Sequence, residues 1–430
     1  MKKFFNLKEH QVSFKSEFTA GLTSFFAAVY IIVVNASILS DTGMPLEGQI
    51  VATVLASLVG CLLMAFISNS PLILMPGMGV NALFTYTIVK SMGLSYEQAL
   101  AAVVMSGILF SIVAFTKLST IISKAIPESL KEAITVGIGL FITFIGLQKS
   151  GLIIGDAKNL VALGSLNSPE VLAFLITLAI TLFLFLRGVP GAFLISIIAG
   201  TLICFSFNII DLTGVNFGSI NISSYNKLFF SMDFSQISTL SFWIATFSLT
   251  LVLVFENIGL LHGQINGMLK SKNKFSPALK ATALSTLCCG LLGTSPSVST
   301  VEGTAGITAG GKTGLTSLIT GMLFLVSLLF IPFIKIIPNA AISPILIIIG
   351  GLMIKNVENI NFSDFTEGFP AFLTIVLIPL TYSIVDGIAF GFIAYPMMKF
   401  FKKEQKELST SMYIISLLFL AYFILHGINI

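Results

Sequence analysis

A polar, glycine-rich stretch interrupts an otherwise very apolar chain between Leu291 and Leu315, where the sequence reads LLGTSPSVSTVEGTAGITAGGKTGL. Irregular backbone at membrane depth persists only where it lines a cavity or is covered by protein, because its unpaired polar groups are costly in hydrocarbon. Glu302 lies at the centre of this stretch, and an ionisable residue inside a membrane segment marks a functional site by default. The stretch therefore predicts a broken membrane segment that carries a substrate site.

The composition indicates that the whole chain is embedded in a bilayer. Of the 430 residues, 55% are hydrophobic and only 10% are charged, whereas soluble domains carry about 25% charged residues. The chain is predicted to be an all-α polytopic membrane protein, with room for a dozen or more spans of about 20 residues. The net charge of +4 comes from lysines in loops rather than from a dense basic patch, so no nucleic-acid partner is expected.

Apolar runs of membrane-spanning length recur along the chain, and two interrupted segments accompany them. The runs are Phe18–Leu39, Ile50–Ser68, Ala99–Phe115, Ala133–Leu147, Val171–Leu186, Ala192–Ile210, Phe242–Leu261, Ala278–Leu292, Leu315–Ile334, Ala341–Ile354, Phe369–Tyr382, Ile388–Phe400 and Met412–Leu425, and the interrupted segments are Pro71–Met92 and the stretch above. Met412–Leu425 is one segment more than an even number of membrane crossings needs. It is therefore interpreted as a crossing, as an interfacial helix or as a replacement for a neighbouring span.

Lysine clusters give the orientation in the membrane. When the interrupted segment Pro71–Met92 is counted as the third crossing, they precede the first crossing and follow the fourth and the eighth, which end at Phe115 and Leu261. Each cluster is thus an even number of crossings from the N-terminus, so the positive-inside rule places all three in the cytoplasm. The clusters consist of Lys2, Lys3, Lys8 and Lys15, then Lys117, Lys124 and Lys131, then Lys270, Lys272, Lys274 and Lys280. Residues 1–17 are thus predicted to be a cytoplasmic segment of a plasma-membrane protein.

The spacing of the two interrupted segments predicts an internal repeat. Phe18 and Pro71 begin the first span and its interrupted segment, and Phe242 and Ser295 begin the eighth span and its interrupted segment, with 53 residues between the starts in both cases. Seven segments separate the two copies, so the second copy enters the membrane inverted. Inverted repeats with broken helices at matching places point to a transporter site at the midplane. The predicted organisation is a first repeat over 18–210, an extracytoplasmic linker over 211–241 and a second repeat over 242–430.

The first interrupted segment contains Pro76, which lacks the N–H that a continuous helix needs, and Gly77 and Gly79, which permit unusual backbone dihedral angles. This pattern predicts a short extended piece followed by a half-helix that starts near Asn81. The half-helix N-terminus would direct free N–H groups at the membrane centre. The alternative is a simple Pro-Gly kink.

Glu256 is a second carboxylate inside an apolar run. Desolvation favours the protonated form of a carboxyl group, and a carboxyl that is protonated part of the time can carry a proton and also hydrogen-bond a neutral solute. Glu256 and Glu302 are therefore predicted both to bind substrate and to couple transport to protons. The alternative for Glu256 is a structural hydrogen bond between helices.

Residues 306–313, GITAGGKT, match the Walker A pattern letter for letter. A P-loop needs a preceding strand, a following helix and an aqueous nucleotide pocket. Here the residues before the motif are predicted to form a half-helix at membrane depth, and no soluble nucleotide-binding domain is predicted. Lys312 is interpreted as a loop anchor. No His, Cys or Asp cluster has metal-ligand spacing, so no metal, cofactor or catalytic residue is predicted, and the chain is not expected to be an enzyme.

Four stretches resemble the AzgA-like purine permeases within the nucleobase–cation symporters. These stretches are residues 21–35 (GLTSFFAAVYIIVVN), 76–87 (PGMGVNALFTYT), 294–316 (TSPSVSTVEGTAGITAGGKTGLT) and 378–392 (IPLTYSIVDGIAFGF). The resemblance implies about fourteen spans in two inverted sevens, with a core domain that rocks against a gate domain. It also implies uptake of adenine, guanine or hypoxanthine with a proton. The family places carboxylates of the eighth and tenth spans around the base, at the positions of Glu256 and Glu302.

The chain departs from the family pattern at three positions. Such permeases usually carry Asp where this chain has Leu253 and Glu256, and often Tyr where it has Thr300.

A purine is flat and edged with donors and acceptors, which suggests how the site binds it. Glu302 would accept from ring N–H groups, and the N–H groups near Gly303 and Thr304 would meet ring acceptors. Stacking would come from Phe255, Phe84 or Tyr86. Three more residues complete the predicted substrate-binding set: Thr300, Gly79 and Asn81.

The predicted partners are a purine, H⁺ and the lipid bilayer. The sequence is compatible with a monomer and with a homodimer. Transport of xanthine, uracil, another small polar solute or an anion on the same architecture is the alternative function.

Overall fold

A computed structural model of the protein describes residues 5–116, 118, 126–156, 159–210 and 222–428. Lys2, Lys3, Lys117, Lys124 and residues 211–221 of the predicted linker lie outside the described residues. The α-helices are Phe14–Ala28, Ile31–Ser40, Leu46–Leu63, Met78–Ala82, Tyr96–Phe115, Glu128–Lys149, Pro169–Leu186, Ala192–Ser206, Leu240–Leu261, Phe275–Leu292, Gly303–Thr308, Gly314–Val326, Ile331–Ile334, Asn339–Ile354, Phe365–Leu380, Ile384–Phe401 and Thr410–Ile428. Turns of π-helix continue three of them, at Met64–Ser68, Leu83–Ser91 and His262–Met268, and 3₁₀ turns lie at Ile222–Lys227, Lys272–Lys274, Ser327–Phe330, Lys355–Asn359 and Gln405–Glu407.

Most of these helices are built to cross a membrane. In the described part of the chain, 10 helices are long and apolar enough to span a bilayer, and three shorter apolar helices lie at Ala192–Ser206, Phe365–Leu380 and Thr410–Ile424. The prediction of a polytopic, mainly helical membrane protein is confirmed.

The first span differs from its prediction, because its helix breaks at Val29 and Tyr30. There the N–H groups of Ile32 and Val33 bond to carbonyls only three residues back. This tighter turn places Tyr30 at a bend.

Four short strands correct the all-α prediction. Leu74–Pro76 pairs antiparallel with Ser297–Ser299, in the register Leu74↔Ser299 and Pro76↔Ser297, and a hairpin joins Ile153–Asp156 to Leu160–Leu163. The first pair satisfies the backbone groups of both interrupted segments at membrane depth, where water is absent. We call Leu74–Ser91 and Ser297–Thr308 the first and second crossing segments.

Glycine is required where the two crossing segments meet. A Cβ on Gly77 would lie 2.4 Å from Cγ2 of Val298, which is inside van der Waals contact.

The half-helix that follows begins at Met78 rather than near Asn81. The reason is that Gly77 is already extended and its carbonyl accepts the Asn81 N–H at 2.8 Å. The half-helix of the second crossing segment begins at Gly303, directly after Glu302.

The long helices pack in two groups. In the first group, Tyr96–Phe115 packs on Phe275–Leu292 and Leu240–Leu261, and Gly314–Val326 packs on Phe14–Ala28 and Leu46–Leu63. In the second group, Glu128–Lys149 packs on Asn339–Ile354 and Phe365–Leu380, Pro169–Leu186 packs on Ala192–Ser206, and Ile384–Phe401 packs on Phe365–Leu380.

The loop with the Walker A pattern holds an internal carboxylate. Glu17 is fully buried, and its carboxylate accepts the N–H groups of Lys312 at 2.9 Å and Thr313 at 3.2 Å. The same carboxylate accepts the N–H of Thr316 at 3.2 Å and its hydroxyl at 2.6 Å. The donors that a P-loop would offer to phosphate are thus used to fix the N-terminal helix to the loop that follows the second crossing segment.

We expect Glu17→Ala to lower the thermal stability of the purified protein. The substitution leaves buried N–H groups without an acceptor, and each such group costs about 1–3 kcal/mol. The apparent melting temperature in detergent should fall by several degrees, measured by fluorescence-detected size exclusion after heating. Glu9→Ala, at an exposed glutamate of the same N-terminal region, is the control. An unchanged melting temperature in Glu17→Ala would contradict the assignment.

Candidate functional site

A cavity of about 890 Å³ lies between the two groups of helices. Its volume falls in the range of about 300–1,000 Å³ that is typical of small-molecule sites. Both crossing segments reach it, together with the bend at Tyr30 and the helix Leu240–Leu261. The second group contributes the first half of Glu128–Lys149 and the turn before Ala192–Ser206.

The two predicted carboxylates both line this cavity, but their surroundings differ. Glu302 accepts a hydrogen bond from the hydroxyl of Tyr30, which is buried at the bend of the first span. Glu256 makes no hydrogen bond or ion pair with any described residue. One carboxylate is therefore held in place by the protein, and the other is free to meet a proton or a solute.

The helix that carries Glu256 also fixes the second crossing segment. Asn257 accepts the N–H of Ser299 at 2.8 Å. Gln264 donates to the carbonyl of Thr300 at 2.6 Å and accepts from the hydroxyl of Ser299 at 2.6 Å. These two amides set the position from which Thr300 and Glu302 face the cavity. The sequence analysis missed both; the only available signal was their polar character at the end of an apolar run.

The first crossing segment presents backbone donors to the same space. Met78 and Gly79 line the cavity and are the first residues of a helix. The N–H groups of the first helical turn have no partner within the helix and carry partial positive charge. This end of the cavity can therefore bind a hydrogen-bond acceptor.

Six of the eight predicted substrate-binding residues line the cavity: Glu302, Glu256, Thr300, Thr304, Gly79 and Phe255. Asn81 does not, because it is fully buried and accepts a hydrogen bond from Ser295 at 2.6 Å. Gly303 does not line it either.

The backbone donors expected at the second half-helix are already used. The N–H of Gly303 donates to the carbonyl of Thr300, and that of Thr304 donates to the carbonyl of Val301, both at 3.0 Å. In this structure these two N–H groups bond within the turn, whereas the residues of a first helical turn that line the cavity are Met78 and Gly79.

Aromatic side chains around the cavity are mostly not those expected. Phe84 packs edge-on against Tyr96 in the core, and Tyr86 donates to Asp41; neither lines the cavity. Phe255 does, with the Lys131 ammonium 5.8 Å from its ring centroid.

Tyr30, Phe185 and Phe193 are the aromatic residues that the sequence analysis missed. All three line the cavity. The Tyr30 ring lies edge-on to Phe193 with centroids 5.1 Å apart, and Phe193 stacks on Phe185 at 5.8 Å. The only sequence signal was a Gly- and Pro-containing turn, residues 188–191, between two short apolar runs.

One end of the cavity has a charged rim. Glu128, Lys131, Glu132 and Asn356 line it there, and Lys131 pairs with Glu128 at 2.8 Å. Because Glu128, Lys131 and Glu132 lie at the N-terminal end of Glu128–Lys149, the cavity reaches the end of the bundle where that helix begins.

A helical membrane bundle in which two crossing half-helices meet at a polar, carboxylate-bearing cavity is the architecture of a membrane transporter. Solved transporters share the fold. The transmembrane domain of the cyanobacterial bicarbonate transporter BicA superposes with a TM-score of 0.66 at 16% identity, covering 88% of this chain and 98% of that one. SLC26A9 superposes with a TM-score of 0.68 at 13% identity, covering 92% of this chain and 66% of that one.

Residues 15–421 match the Permease family, Xan_ur_permease, and the chain belongs to it. The nucleobase transporter PlAzg2 of Paenibacillus larvae is 50% identical over 89% of this chain and 77% of its own length. The guanine/hypoxanthine permease PbuO of Bacillus subtilis is 39% identical over 96% of this chain and 98% of its own length. The adenine permease AdeP of Escherichia coli is 32% identical over 98% of this chain and 95% of its own length. The resemblance to the AzgA-like purine permeases is confirmed, and these relatives are named as transporters rather than enzymes.

Proposed function

We propose that the protein imports a purine nucleobase, namely adenine, guanine or hypoxanthine, by proton symport through alternating access. The observation that carries the proposal is the pair of unlike carboxylates in one cavity, with Glu302 held by Tyr30 and Glu256 unpartnered among the described residues. Two negative groups suit a neutral donor-rich base together with a proton, and they oppose an anionic substrate. The names of the relatives support the same class of substrate.

The base would be recognised by three kinds of group. Glu302 accepts from a ring N–H, and the N–H groups of Met78 and Gly79 donate to ring acceptors. The hydroxyl of Thr300 is buried and unpartnered among the described residues, so it can serve either edge. Phe255 supplies an aromatic face on the cavity wall.

Glu256 would carry the coupling proton. A charged side chain at a helix centre costs about 2.5–3.5 kcal/mol on insertion scales, so binding a proton and a neutral base together removes that cost. One proton moving down a potential of ~100 mV supplies about 2.3 kcal/mol. At about 1.4 kcal/mol per decade, this corresponds to roughly fortyfold accumulation of a neutral base.

The architecture would be fourteen crossings in two inverted sevens, over residues 18–210 and 242–430, joined by the extracytoplasmic linker 211–241. The first group of helices would act as the core and the second as the gate. With residues 1–17 in the cytoplasm of a plasma-membrane protein, the rim at Glu128 faces inward. The cavity is then the inward-open state of the cycle.

Uptake into proteoliposomes tests the proposal. Labelled adenine, guanine, hypoxanthine, xanthine and uracil are offered with and without an inward proton gradient. We expect gradient-driven accumulation of at least one purine among the first three. Uptake of xanthine or uracil alone would favour the alternative substrates, and uptake of none of the five would reject nucleobase transport.

We expect Tyr30→Phe to weaken purine binding about tenfold. The hydroxyl orients Glu302, and a hydrogen bond to a charged group contributes about 1.5–3 kcal/mol. The dissociation constant is measured by scintillation proximity on purified protein. Tyr413→Phe removes the same atom from an exposed position outside the cavity and should leave the dissociation constant unchanged. Equal constants in wild type and Tyr30→Phe would show that Tyr30 does not position the carboxylate.

A further inference from the structure

A cluster of polar side chains joins the two groups of helices at the end of the bundle away from the cavity rim. We call it the Lys149 cluster; it consists of Ser37, Asp41, Tyr86, Lys149 and Asn339. The Lys149 ammonium lies 2.8 Å from Oδ2 of Asp41, which also accepts the Tyr86 hydroxyl at 2.5 Å. Lys149 further donates to the carbonyl of Ser37 at 3.3 Å. The Ser37 hydroxyl donates to Oδ1 of Asn339 at 3.3 Å.

An aromatic layer lies beneath this cluster. The Tyr86 ring packs edge-on against Tyr382 at 5.5 Å and against Phe141 at 6.0 Å. Tyr382 donates to Gln148 at 3.0 Å. Polar and aromatic contacts therefore close this end, whereas the cavity reaches the opposite end.

The ion pair in the cluster is shielded from solvent. The Lys149 side chain is 11% exposed and that of Asp41 is 28% exposed. A partly buried pair is screened less than a surface pair, and removing one partner leaves the other charge uncompensated. The cluster is therefore an energetically significant contact, and replacing either partner of the ion pair would perturb it.

Three helices connect the cluster to the substrate site. The helix Ile31–Ser40 begins beside Tyr30 and ends at Asp41. The helical part of the first crossing segment leads from Met78 at the cavity to Tyr86 in the cluster. The helix Glu128–Lys149 runs from the cavity rim to Lys149. A movement between the groups that changes the cavity must also change the cluster.

We propose that the Lys149 cluster is the gate that closes the protein on the side opposite the cavity, and that it separates once in each transport cycle. This inference rests on the proposed function, since it assigns a part of alternating access. The helix Ile31–Ser40 packs on Leu46–Leu63 of the first group, so Ser37 and Asp41 lie with the group that carries the carboxylates. Lys149 and Asn339 belong to the second group. Opening on that side requires these contacts to break.

A reversible cross-link tests the gate. Ser37→Cys and Asn339→Cys are introduced together after Cys61, Cys204, Cys288 and Cys289 are replaced by alanine. Their side-chain oxygens are in hydrogen-bond contact in the native protein, so the thiols come within reach of each other. We expect oxidation to lower purine uptake at least tenfold, and reductant to restore it. Purine binding to the oxidised, solubilised protein should persist, because the cavity stays open.

A cross-link within one helix group is the matched control. The hydroxyls of Thr181 and Ser196 are in contact inside the second group, so Thr181→Cys with Ser196→Cys should transport normally after oxidation. Full uptake by a verified Ser37–Asn339 cross-link would overturn the gate. If the wild-type protein transports no purine, the proposed function fails instead.

Labelling gives a second measurement that does not depend on the cross-link. Ala27 lines the cavity, and a cysteine there should react with an impermeant thiol reagent from the cavity side. Lys149→Met should raise its labelling from the opposite side several-fold, because the closed gate is weakened. Labelling unchanged by Lys149→Met would count against the gate.

Discussion

Glu302→Gln is expected to abolish detectable purine binding, with affinity lowered by at least about a hundredfold. The glutamine amide keeps one acceptor oxygen, which the Tyr30 hydroxyl occupies, and turns an N–H₂ group towards the space where the base presents its own N–H. Hydrogen bonds to a charged group contribute about 1.5–3 kcal/mol each, and every 1.4 kcal/mol is about tenfold in affinity. A lost charged acceptor and an added donor-to-donor clash together account for the size of the effect.

The measurement is equilibrium binding of tritiated purine to purified protein, which separates binding from transport. Glu358→Gln is the matched control, because it makes the same chemical change at an exposed glutamate beside the end of the Asn339–Ile354 helix. Both variants should elute as the wild type does on size exclusion. A Glu302→Gln protein that binds purine with wild-type affinity would remove Glu302 from the site.

Glu256→Gln is expected to separate exchange from accumulation. Glutamine cannot take up a proton, so the variant should load and release the base without coupling it to the gradient. Counterflow exchange should stay within about twofold of the wild type. Accumulation under a proton gradient should fall from roughly fortyfold to about equality with the medium.

Both quantities are measured in the same proteoliposomes, with preloaded unlabelled purine for exchange and an imposed gradient for accumulation. Wild-type vesicles treated with an uncoupler reproduce the expected behaviour of the variant and calibrate it. If Glu256→Gln still accumulates purine, the coupling proton resides elsewhere in the cavity, and Glu302 is the remaining candidate among its two predicted carriers.

The crossing segments were predictable because their composition conflicts with hydrocarbon. Gly, Ser, Thr and Pro inside apolar runs cannot continue a lipid-facing helix, and an acidic residue there needs a cavity or a partner. These constraints located Glu302, Thr300 and Gly79 on the cavity wall. Gly77 fits the same place because a Cβ there would meet the side chain of Val298 on the opposing strand.

The aromatic and amide contacts were not predictable in the same way. In a soluble helix, a polar face tells which side points outward. Here lipid-facing and core-facing residues are both apolar, so Phe84, Tyr86 and Phe193 look alike in the sequence, although only Phe193 lines the cavity. Asn81 was assigned to the site from its place in a motif, whereas the fold uses it to hold Ser295.

The sequence by itself determined that the chain is a multi-pass helical membrane protein with two broken segments and two carboxylates inside apolar segments. Those properties depend on local composition and on the cost of exposing polar groups to lipid. Only the tertiary structure decided which partners meet. Tyr30 donates a hydrogen bond to Glu302, Glu17 accepts the N–H of Lys312, and Lys149 pairs with Asp41. These contacts join residues more than a hundred positions apart, and the packing of whole helices, rather than any local pattern, brings them together.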